Sequence, residues 1–203
     1  GGYAVEALAR SGVGTLVLVD HDKISVSNIN RQIIALESTI GLPKVVVMAD
    51  RIAQINPSCK VIPRQEFYDS SKADVLLLDT YDYVVDAIDS VGSKVDLIYQ
   101  CVSKNIPMIS AMGAGNKLDP TQFSVSDISQ THTCPLARIV RIGLRKKGIE
   151  KGVKVVFSTE PPVRRNQTAV PGSTAFVPPA VGLIMASVVV RDILTRRVSN
   201  EPV

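Results

Sequence analysis

Apolar residues follow two alternating patterns through the first part of the chain. Near-continuous apolar runs, typical of strands that are buried on both faces, alternate with segments whose apolar positions recur at helical spacing. The runs predict strands at residues 15–20, 60–65, 83–87 and 107–111. The helical spacing predicts helices that begin at Gly2 and cover 43–55, 70–78 and 93–105. This alternation predicts an α/β fold with a Rossmann-like, doubly wound and mostly parallel sheet.

The order of elements changes after residue 121. A strand at 123–127, an amphipathic basic helix and a strand at 153–158 form a mixed C-terminal extension. An apolar stretch at 175–190 then follows, which is short of the roughly 20 residues that a membrane-spanning helix needs. We predict a buried helix there, with a subunit contact as a second role.

The chain starts directly on the first helix, because Gly1 and Gly2 have no strand before them. We expect the first strand and the leading glycines of a phosphate loop to precede Gly1 in the full-length protein. The composition of 45% hydrophobic and 21% charged residues excludes a disordered or collagen-like chain. Three widely spaced cysteines without a Cys-x-x-Cys pair argue against a disulfide framework and a structural zinc site. These cysteines indicate a reducing, cytoplasmic compartment.

The net charge of +4 is unevenly distributed. Residues 131–165 hold nine basic and two acidic side chains, which leaves the rest of the chain with a net charge of −3. At 100° per residue, the basic helix places three arginines on one face and four apolar residues opposite: Arg138, Arg141 and Arg145 against Leu136, Ile139, Val140 and Leu144. This segment either meets a polyanion or forms an ordinary solvated face.

Candidate chemistry begins at the start of the first predicted helix. Gly1 and Gly2 are typical of the end of a glycine-rich phosphate turn, whose main-chain amides and helix dipole attract a pyrophosphate. Asp20 ends the next strand, close to the roughly 20-residue offset at which an acid grips the ribose hydroxyls of a nucleotide. Strands also end in Asp for reasons of turn geometry, so Asp20 by itself leaves both interpretations open.

Two further segments add charged side chains. Arg31 can offer a phosphate a forked pair of donors, and Lys44 lies in the first turn of a helix, where a cation indicates a bound anion. Asp89 and Ser90 follow the third strand, at the edge where open α/β sheets bind ligands. Asp89 is therefore a candidate Mg²⁺ ligand, although either residue could simply cap the next helix. Together with Asp20, these residues predict a nucleoside triphosphate site.

These motifs resemble those of the ubiquitin-activating-type adenylating enzymes, the family of the molybdopterin-synthase and thiamine-sulfur-carrier adenylyltransferases. The resemblance rests on Asp20 and on residues 27–32, 41–44 and 86–90. Within that family the chain looks most like the bacterial tRNA threonylcarbamoyladenosine dehydratases. The segments that carry this finer resemblance are 113–115, 119–121, 134–138, 157–160 and 172–179.

The resemblance implies one adenylating domain over 1–203, with a nucleotide-binding core at 1–121 and a substrate, tRNA and dimerisation extension at 122–203. It implies ATP-dependent cyclisation of threonylcarbamoyladenosine in tRNA through an acyl-adenylate, with Mg²⁺ as cofactor. The implied catalytic residues are Arg31, Lys44 and Asp89, of which Asp89 serves the metal. The implied nucleotide contacts are Gly1, Gly2, Asp20, Asn28, Arg31, Gln32, Lys44, Asp89 and Ser90. The tRNA contacts expected on this basis are Arg138, Arg141, Arg145, Lys146, Arg164 and Arg165.

The implied partners are the modified tRNA, a second copy of the chain and a sulfur-relay protein, with no membrane. No cysteine follows Thr159, where relatives that form thioesters or persulfides place one. One alternative is an adenylyltransferase for the Gly-Gly terminus of a small sulfur-carrier protein, which the missing zinc cysteines weaken. Two others are an NAD-dependent oxidoreductase, because Gly1, Gly2 and Asp20 alone fit that fold, and a non-catalytic RNA-binding protein.

Overall fold

A computed structural model describes residues 1–163 and 171–200. In these residues helices and strands alternate from the start of the chain. The helices are Gly2–Arg10 (α1), Lys44–Ile55 (α2), Ala73–Leu76 (α3), Val91–Ser103 (α4), Pro135–Lys146 (α5) and Val177–Asn200 (α6). The strands are Thr15–Val19 (β1), Lys60–Arg64 (β2), Val84–Asp86 (β3), Met108–Ala111 (β4), Phe123–Asp127 (β5) and Lys154–Ser158 (β6).

Backbone hydrogen bonds arrange the strands in two sheets. β1 pairs in parallel with β2, and the second sheet has the order β3-β4-β6-β5. Every pairing in the second sheet is parallel except that of β5 with β6, which is antiparallel. The prediction of a mostly parallel α/β fold with a mixed C-terminal part is therefore confirmed.

Helices cover both faces of the second sheet. One apolar cluster joins α3, α4 and α5 to the sheet, and another joins α1 and α6 to the opposite face. Two glycines permit close helix contacts: a Cβ on Gly143 of α5 would lie 2.9 Å from Val95 of α4. A Cβ on Gly182 of α6 would lie 2.9 Å from the main-chain nitrogen of Ala4 in α1. The packing of α6 thus helps to fix the position of α1.

The C-terminal helix is longer than the 16-residue apolar stretch that predicts it. It runs from Val177 through 24 residues, and Pro178 and Pro179 lie in its first turn, where proline is tolerated. By length and hydropathy, 177–196 could cross a membrane. In the fold, however, one side of α6, including Val181 and Met185, is buried in the core against α1 and the sheet. The prediction of a buried helix is thus correct for this side.

The predicted helix at 70–78 is wrong in its extent. The structure has a 3-10 turn at Ser70–Lys72, which Asp69 caps by accepting a hydrogen bond from the main-chain N–H of Ser71, and then the four-residue α3. The chain leaves the helical path at Leu77, which has φ −116° and ψ 85° and is buried. Apolar periodicity alone does not detect such a change of backbone conformation.

Candidate active site

The start of α1 lies between the carboxyl ends of the two sheets. Gly1 is its N-cap, and no side chain caps the first turn. A Cβ on Gly1 would contact Ala87, just after β3, at 3.7 Å, and one on Gly2 would lie 3.1 Å from Met48 of α2. Uncapped N–H groups at the positive end of a helix dipole favour an anion. The structure therefore places the predicted phosphate turn against the predicted acidic turn.

Lys44 begins α2 one turn before Met48, the residue that lies beside Gly2 at the start of α1. Asp20 follows β1 and accepts a hydrogen bond from the Asp22 main chain at 2.9 Å. The Lys44 ammonium contacts the Asp22 carboxylate at 2.6 Å, and this hydrogen bond lowers the pKa of Asp22. Asp22 therefore balances the charge of Lys44 within the protein, so the place of Lys44 in the first turn of α2 does not by itself indicate a bound anion.

The loop between β1 and α2 carries Asn28, Arg31 and Gln32. Asn28 is buried, and its side-chain oxygen accepts a hydrogen bond from the main-chain N–H of Ser25 at 3.2 Å. Asn28 therefore stabilises the conformation of this loop. Arg31 directs its Nη1 to the Ser27 carbonyl at 2.8 Å. In the described residues, Nε and Nη2 of Arg31 and the side-chain amide of Gln32 have no hydrogen-bond partner. These groups remain available to a ligand.

The acidic turn after β3 contains two carboxylates with different surroundings, the buried one of Asp86 and the exposed one of Asp89. One oxygen of buried Asp86 accepts a hydrogen bond from the Ile88 main chain at 2.9 Å, which fixes the turn. Asp89 is exposed and its carboxylate has no partner among the described residues. Ser90 occupies the N-cap of α4 but makes no side-chain cap hydrogen bond. Neither residue thus acts through its side chain as a helix cap, and Asp89 retains both oxygens for a cation.

Two lysines that are buried in the structure, Lys94 and Lys117, are not among the site residues predicted from the sequence. Lys94 of α4 donates hydrogen bonds to Asp86 at 2.8 Å, to the Ser110 hydroxyl at 3.3 Å and to the Ala111 carbonyl at 2.9 Å. Its position is a detectable signal, because Lys94 shares a helical face with Ile98 and Cys101, both fully buried. A lysine in an apolar stripe requires a buried partner.

The second buried lysine, Lys117, lies in the loop after β4 and is 2% exposed. In the described residues its ammonium has a single hydrogen-bond partner, the main-chain carbonyl of Glu160. The Glu160 carboxylate instead accepts hydrogen bonds from the main-chain N–H groups of Leu118 and Asp119. Burial lowers the pKa of Lys117. Its sequence context, a polar loop, contains no signal of this burial.

The basic helix α5 presents a different face from the one predicted. Arg138, Arg145 and Lys146 are exposed, whereas the Arg141 guanidinium donates to the carbonyl and hydroxyl of Thr131 at 2.7 and 2.6 Å. The placement of Ile139 on the buried face is wrong, because its side chain is 51% exposed. The buried side centres on Ala137, Val140 and Leu144, which puts Ile139 outside it and Arg141 at its border. Arg164 and Arg165 lie outside the described residues.

All three cysteines, Cys59, Cys101 and Cys134, are buried and free. Burial raises the pKa of Cys59, and it raises the pKa of Cys101 to about 12. Thiols that remain protonated and inaccessible are poor nucleophiles.

Comparison with known proteins places this site in a family. The model of the ThiF family matches residues 1–202. The chain belongs to the ThiF family. The resemblance inferred from Asp20 and the three motifs that accompany it is therefore confirmed, and the NAD-dependent oxidoreductase is no longer favoured.

Among its ThiF-family relatives, the tRNA threonylcarbamoyladenosine dehydratase of Bacillus subtilis is 47% identical and aligns with 96% of this chain and 83% of its own length. The dehydratase of Escherichia coli is 44% identical over 79% of this chain, which spans 62% of that relative's length. A crystal structure of the E. coli dehydratase with AMP superposes with a TM-score of 0.94 at 39% identity, and the match covers 98% of this chain and 84% of that chain. A second crystal structure of the E. coli dehydratase contains ATP. The E. coli molybdopterin-synthase adenylyltransferase is more distant, with 31% identity over 64% of this chain and 52% of its own length.

Proposed function

We propose that this protein is an ATP-dependent tRNA threonylcarbamoyladenosine dehydratase. The observation that carries the proposal is the 47% identity to the B. subtilis dehydratase across 96% of the chain. The fold supports it, because a crystal structure of the E. coli dehydratase with ATP superposes with a TM-score of 0.91 at 38% identity over 99% of this chain and 84% of that one.

The unpaired groups of the candidate site fit a nucleoside triphosphate. The uncapped first turn of α1 supplies N–H donors, and Arg31 supplies Nε and Nη2, for which the described residues offer no acceptor. Lys44 adds a positive charge, although its ammonium also forms an ion pair with Asp22. We assign Asp20 to the ribose hydroxyls, on the strength of its place after β1.

The proposed reaction has two steps. An oxygen of the threonyl carboxylate bonds to the α-phosphorus of ATP, and pyrophosphate leaves. A group within the same modified side chain then attacks the activated carbonyl, loses a proton and displaces AMP, so that a ring closes. The nucleoside loses one water overall, and ATP becomes AMP and pyrophosphate.

The charges of the site suit the first step. Attack of a carboxylate on a phosphate brings two anions together, so cationic donors stabilise its transition state. Arg31 and Lys44 supply such donors, and Asp89 is the residue that would hold Mg²⁺. When bound, Mg²⁺ would neutralise charge on the phosphate oxygens. Ring closure is intramolecular and needs mainly correct positioning, so the buried cysteines are not required as nucleophiles.

The tRNA is proposed to contact the exposed side of α5. Arg138, Arg145 and Lys146 are exposed and have no ion-pair partner in the described residues, so they can neutralise RNA phosphates. Arg141 is expected to contribute less, because its guanidinium already binds Thr131. Arg164 and Arg165 remain part of the proposal from the sequence alone.

The assembly, location and domain division also remain proposals. We infer a cytoplasmic homodimer, which the apolar exposed side of α6 supports, because Leu183 and Leu194 are both more than half exposed. We retain a nucleotide-binding core at 1–121, a substrate extension at 122–203 and a sulfur-relay protein as partner. Light scattering on the purified protein tests the dimer.

Mass spectrometry of tRNA nucleosides tests the proposed function directly. The full-length protein is incubated with ATP, Mg²⁺ and tRNA that bears threonylcarbamoyladenosine, and the nucleosides are then analysed. The expected product is lighter by one water, and an unchanged mass would exclude the proposed reaction. Asp89→Asn is the matched variant: we expect a turnover about 100-fold lower and an unchanged melting temperature, because Asp89 is exposed and unpaired.

The sulfur-carrier adenylyltransferase predicts another result. It requires exchange of label between pyrophosphate and ATP that depends on a carrier protein ending in Gly-Gly. We expect no such dependence here, because the relative with that activity is only 31% identical. Exchange that appears with a carrier and not with modified tRNA would favour the alternative.

A further inference from the structure

The side chain of Asn30 joins two distant segments of the chain. Its carbonyl oxygen accepts a hydrogen bond from Nη1 of Arg31 at 2.8 Å, and its amide nitrogen donates to the main-chain carbonyl of Ser173 at 2.9 Å. The two partners are separated by more than 140 residues in sequence. Asn30 is exposed, so this arrangement is not a consequence of core packing.

The two partners together fix the orientation of the Asn30 amide. A guanidinium only donates hydrogen bonds and a main-chain carbonyl only accepts them. The oxygen of Asn30 must therefore face Arg31 while its nitrogen faces Ser173, and a flipped amide would lose both bonds. Ser173 thus determines that an acceptor is presented to Arg31.

Arg31 is held at one nitrogen and left free at the others. Nη1 donates both to Asn30 and to the Ser27 carbonyl, each at 2.8 Å. Within the described residues, Nε and Nη2 have no acceptor. A long arginine side chain that is anchored in advance loses less conformational entropy when it binds an anion.

The Ser173 segment is itself anchored on its other side. Gly172 donates its N–H to the side-chain oxygen of Asn116 at 2.7 Å and accepts a hydrogen bond from the Asn116 main chain at 2.8 Å. Asn116 lies in the loop after β4 and adopts a φ of 57°, which asparagine tolerates better than most residues. Hydrogen bonds therefore run from the β4 loop, through residues 172–173 and Asn30, to Arg31.

We propose that Asn30 is a positioning residue for Arg31 in nucleotide binding, with its amide oriented by the Ser173 carbonyl. The proposal rests on the proposed use of ATP. Asn30 acts through Arg31, so its contribution to ATP binding requires the arginine to be present.

A double-mutant cycle read by calorimetric titration with ATP tests this role. We expect Asn30→Ala to weaken ATP binding by about tenfold, because Arg31 loses one of its two anchors. In an Arg31→Ala background, the same change should have no further effect. Asn30→Gln retains the amide and should recover part of the affinity.

Ser173→Ala is the matched control, because it keeps the 2.9 Å hydrogen bond from Asn30 to the main-chain carbonyl of Ser173 and removes only the longer contact, 3.4 Å, to the Ser173 hydroxyl. Its ATP affinity should equal that of the wild type. Unchanged ATP binding by Asn30→Ala, or an effect that adds in full to that of Arg31→Ala, would overturn the proposal. The titration needs no tRNA, so it is independent of whether the nucleoside loses water, and wild-type protein that does not bind ATP would instead refute the proposed function.

Discussion

Two buried lysines at the carboxyl ends of neighbouring strands differ in how their charge is compensated. Lys94 has three acceptors, including the carboxylate of Asp86, and the residues Lys94, Asp86 and Ser110 are all at most 1% exposed. Lys117 is also buried, but in the described residues it has one main-chain carbonyl as partner. Lys94 contacts Asp86 in the acidic turn of the site, and Lys117 follows Asn116 in the loop that hydrogen bonds to Gly172.

The difference indicates two uses of a buried charge. The Lys94 network is closed: it joins α4 to β3 and β4 and fixes the turn that carries Asp89. Burial of a charge is tolerated when hydrogen bonds and a counter-charge compensate for lost hydration. Among the described residues no carboxylate pairs directly with the Lys117 ammonium, and burial lowers its pKa. We therefore expect the first lysine to stabilise the fold and the second to contribute little or to oppose it.

The largest effect is expected for Lys94→Met. The change leaves the Asp86 carboxylate buried without its counter-charge, so the free energy of unfolding should fall by about 3–5 kcal/mol. Denaturant unfolding measures this loss. The double variant Asp86→Asn with Lys94→Met should recover part of it, and a single variant as stable as the wild type would contradict the assignment of Lys94 to the fold.

A smaller loss is expected for Ser110→Ala. The Ser110 hydroxyl donates to Asp86 at 2.5 Å, and hydrogen bonds to charged groups contribute about 2 kcal/mol. The ion pair with Lys94 remains, so the loss should be well below that of Lys94→Met. The same unfolding experiment measures it, with Ser124→Ala, at an exposed serine of β5, as a substitution outside the network. Equal losses for Ser110→Ala and Lys94→Met would contradict the claim that the counter-charge of Lys94 is the main compensation for the buried Asp86 carboxylate.

The smallest effect is expected for Lys117→Met. Removal of a buried cation that has one carbonyl partner should leave the free energy of unfolding unchanged or raise it by up to about 1 kcal/mol. A fall of more than about 1 kcal/mol would mean that Lys117 is as structural as Lys94.

The difference in free energy of unfolding between Lys117→Met and the wild type should also depend on pH, which provides a second measurement. The pKa of Lys117 is lower in the folded than in the unfolded protein, where it is near 10.5. The burial penalty is therefore complete below the folded pKa and is lost as pH rises toward 10.5, because the unfolded state then binds more protons. Any gain from Lys117→Met should shrink between neutral pH and about pH 10. Lys151→Met, at an exposed lysine, should show no such trend.

The sequence predicts the framework of the site better than its internal contacts. Strand and helix periodicity suffice to place Asp20 and the turn at 86–90 directly after strands and Lys44 at a helix start, because open α/β sheets bind ligands at the carboxyl ends of their strands. The counter-charge on Lys44 and the bond from Asn30 to Ser173 depend on side-chain conformations and on long-range packing. Periodicity contains no information on either.

The basic helix shows how a correct element can be given a wrong face. The predicted apolar face comprises Leu136, Ile139, Val140 and Leu144, yet only Val140 and Leu144 of these are buried, together with Ala137. Ile139 is therefore exposed among basic residues, and Arg141 is partly withdrawn from solvent. A periodicity calculation finds the helix but does not weigh which apolar residues the neighbouring elements have room to cover.

The burial of every cysteine has a practical consequence for experiments on the complex. Cys59, Cys101 and Cys134 are the only cysteines in the chain, and each is at most 8% exposed. A cysteine introduced at an exposed position, as in Val75→Cys or Ile139→Cys, would then be the thiol that reacts first with a maleimide dye. Fluorescent reporters could thus be attached without removing the native cysteines, one on α5 and one remote from it, to test the proposed binding of RNA in real time.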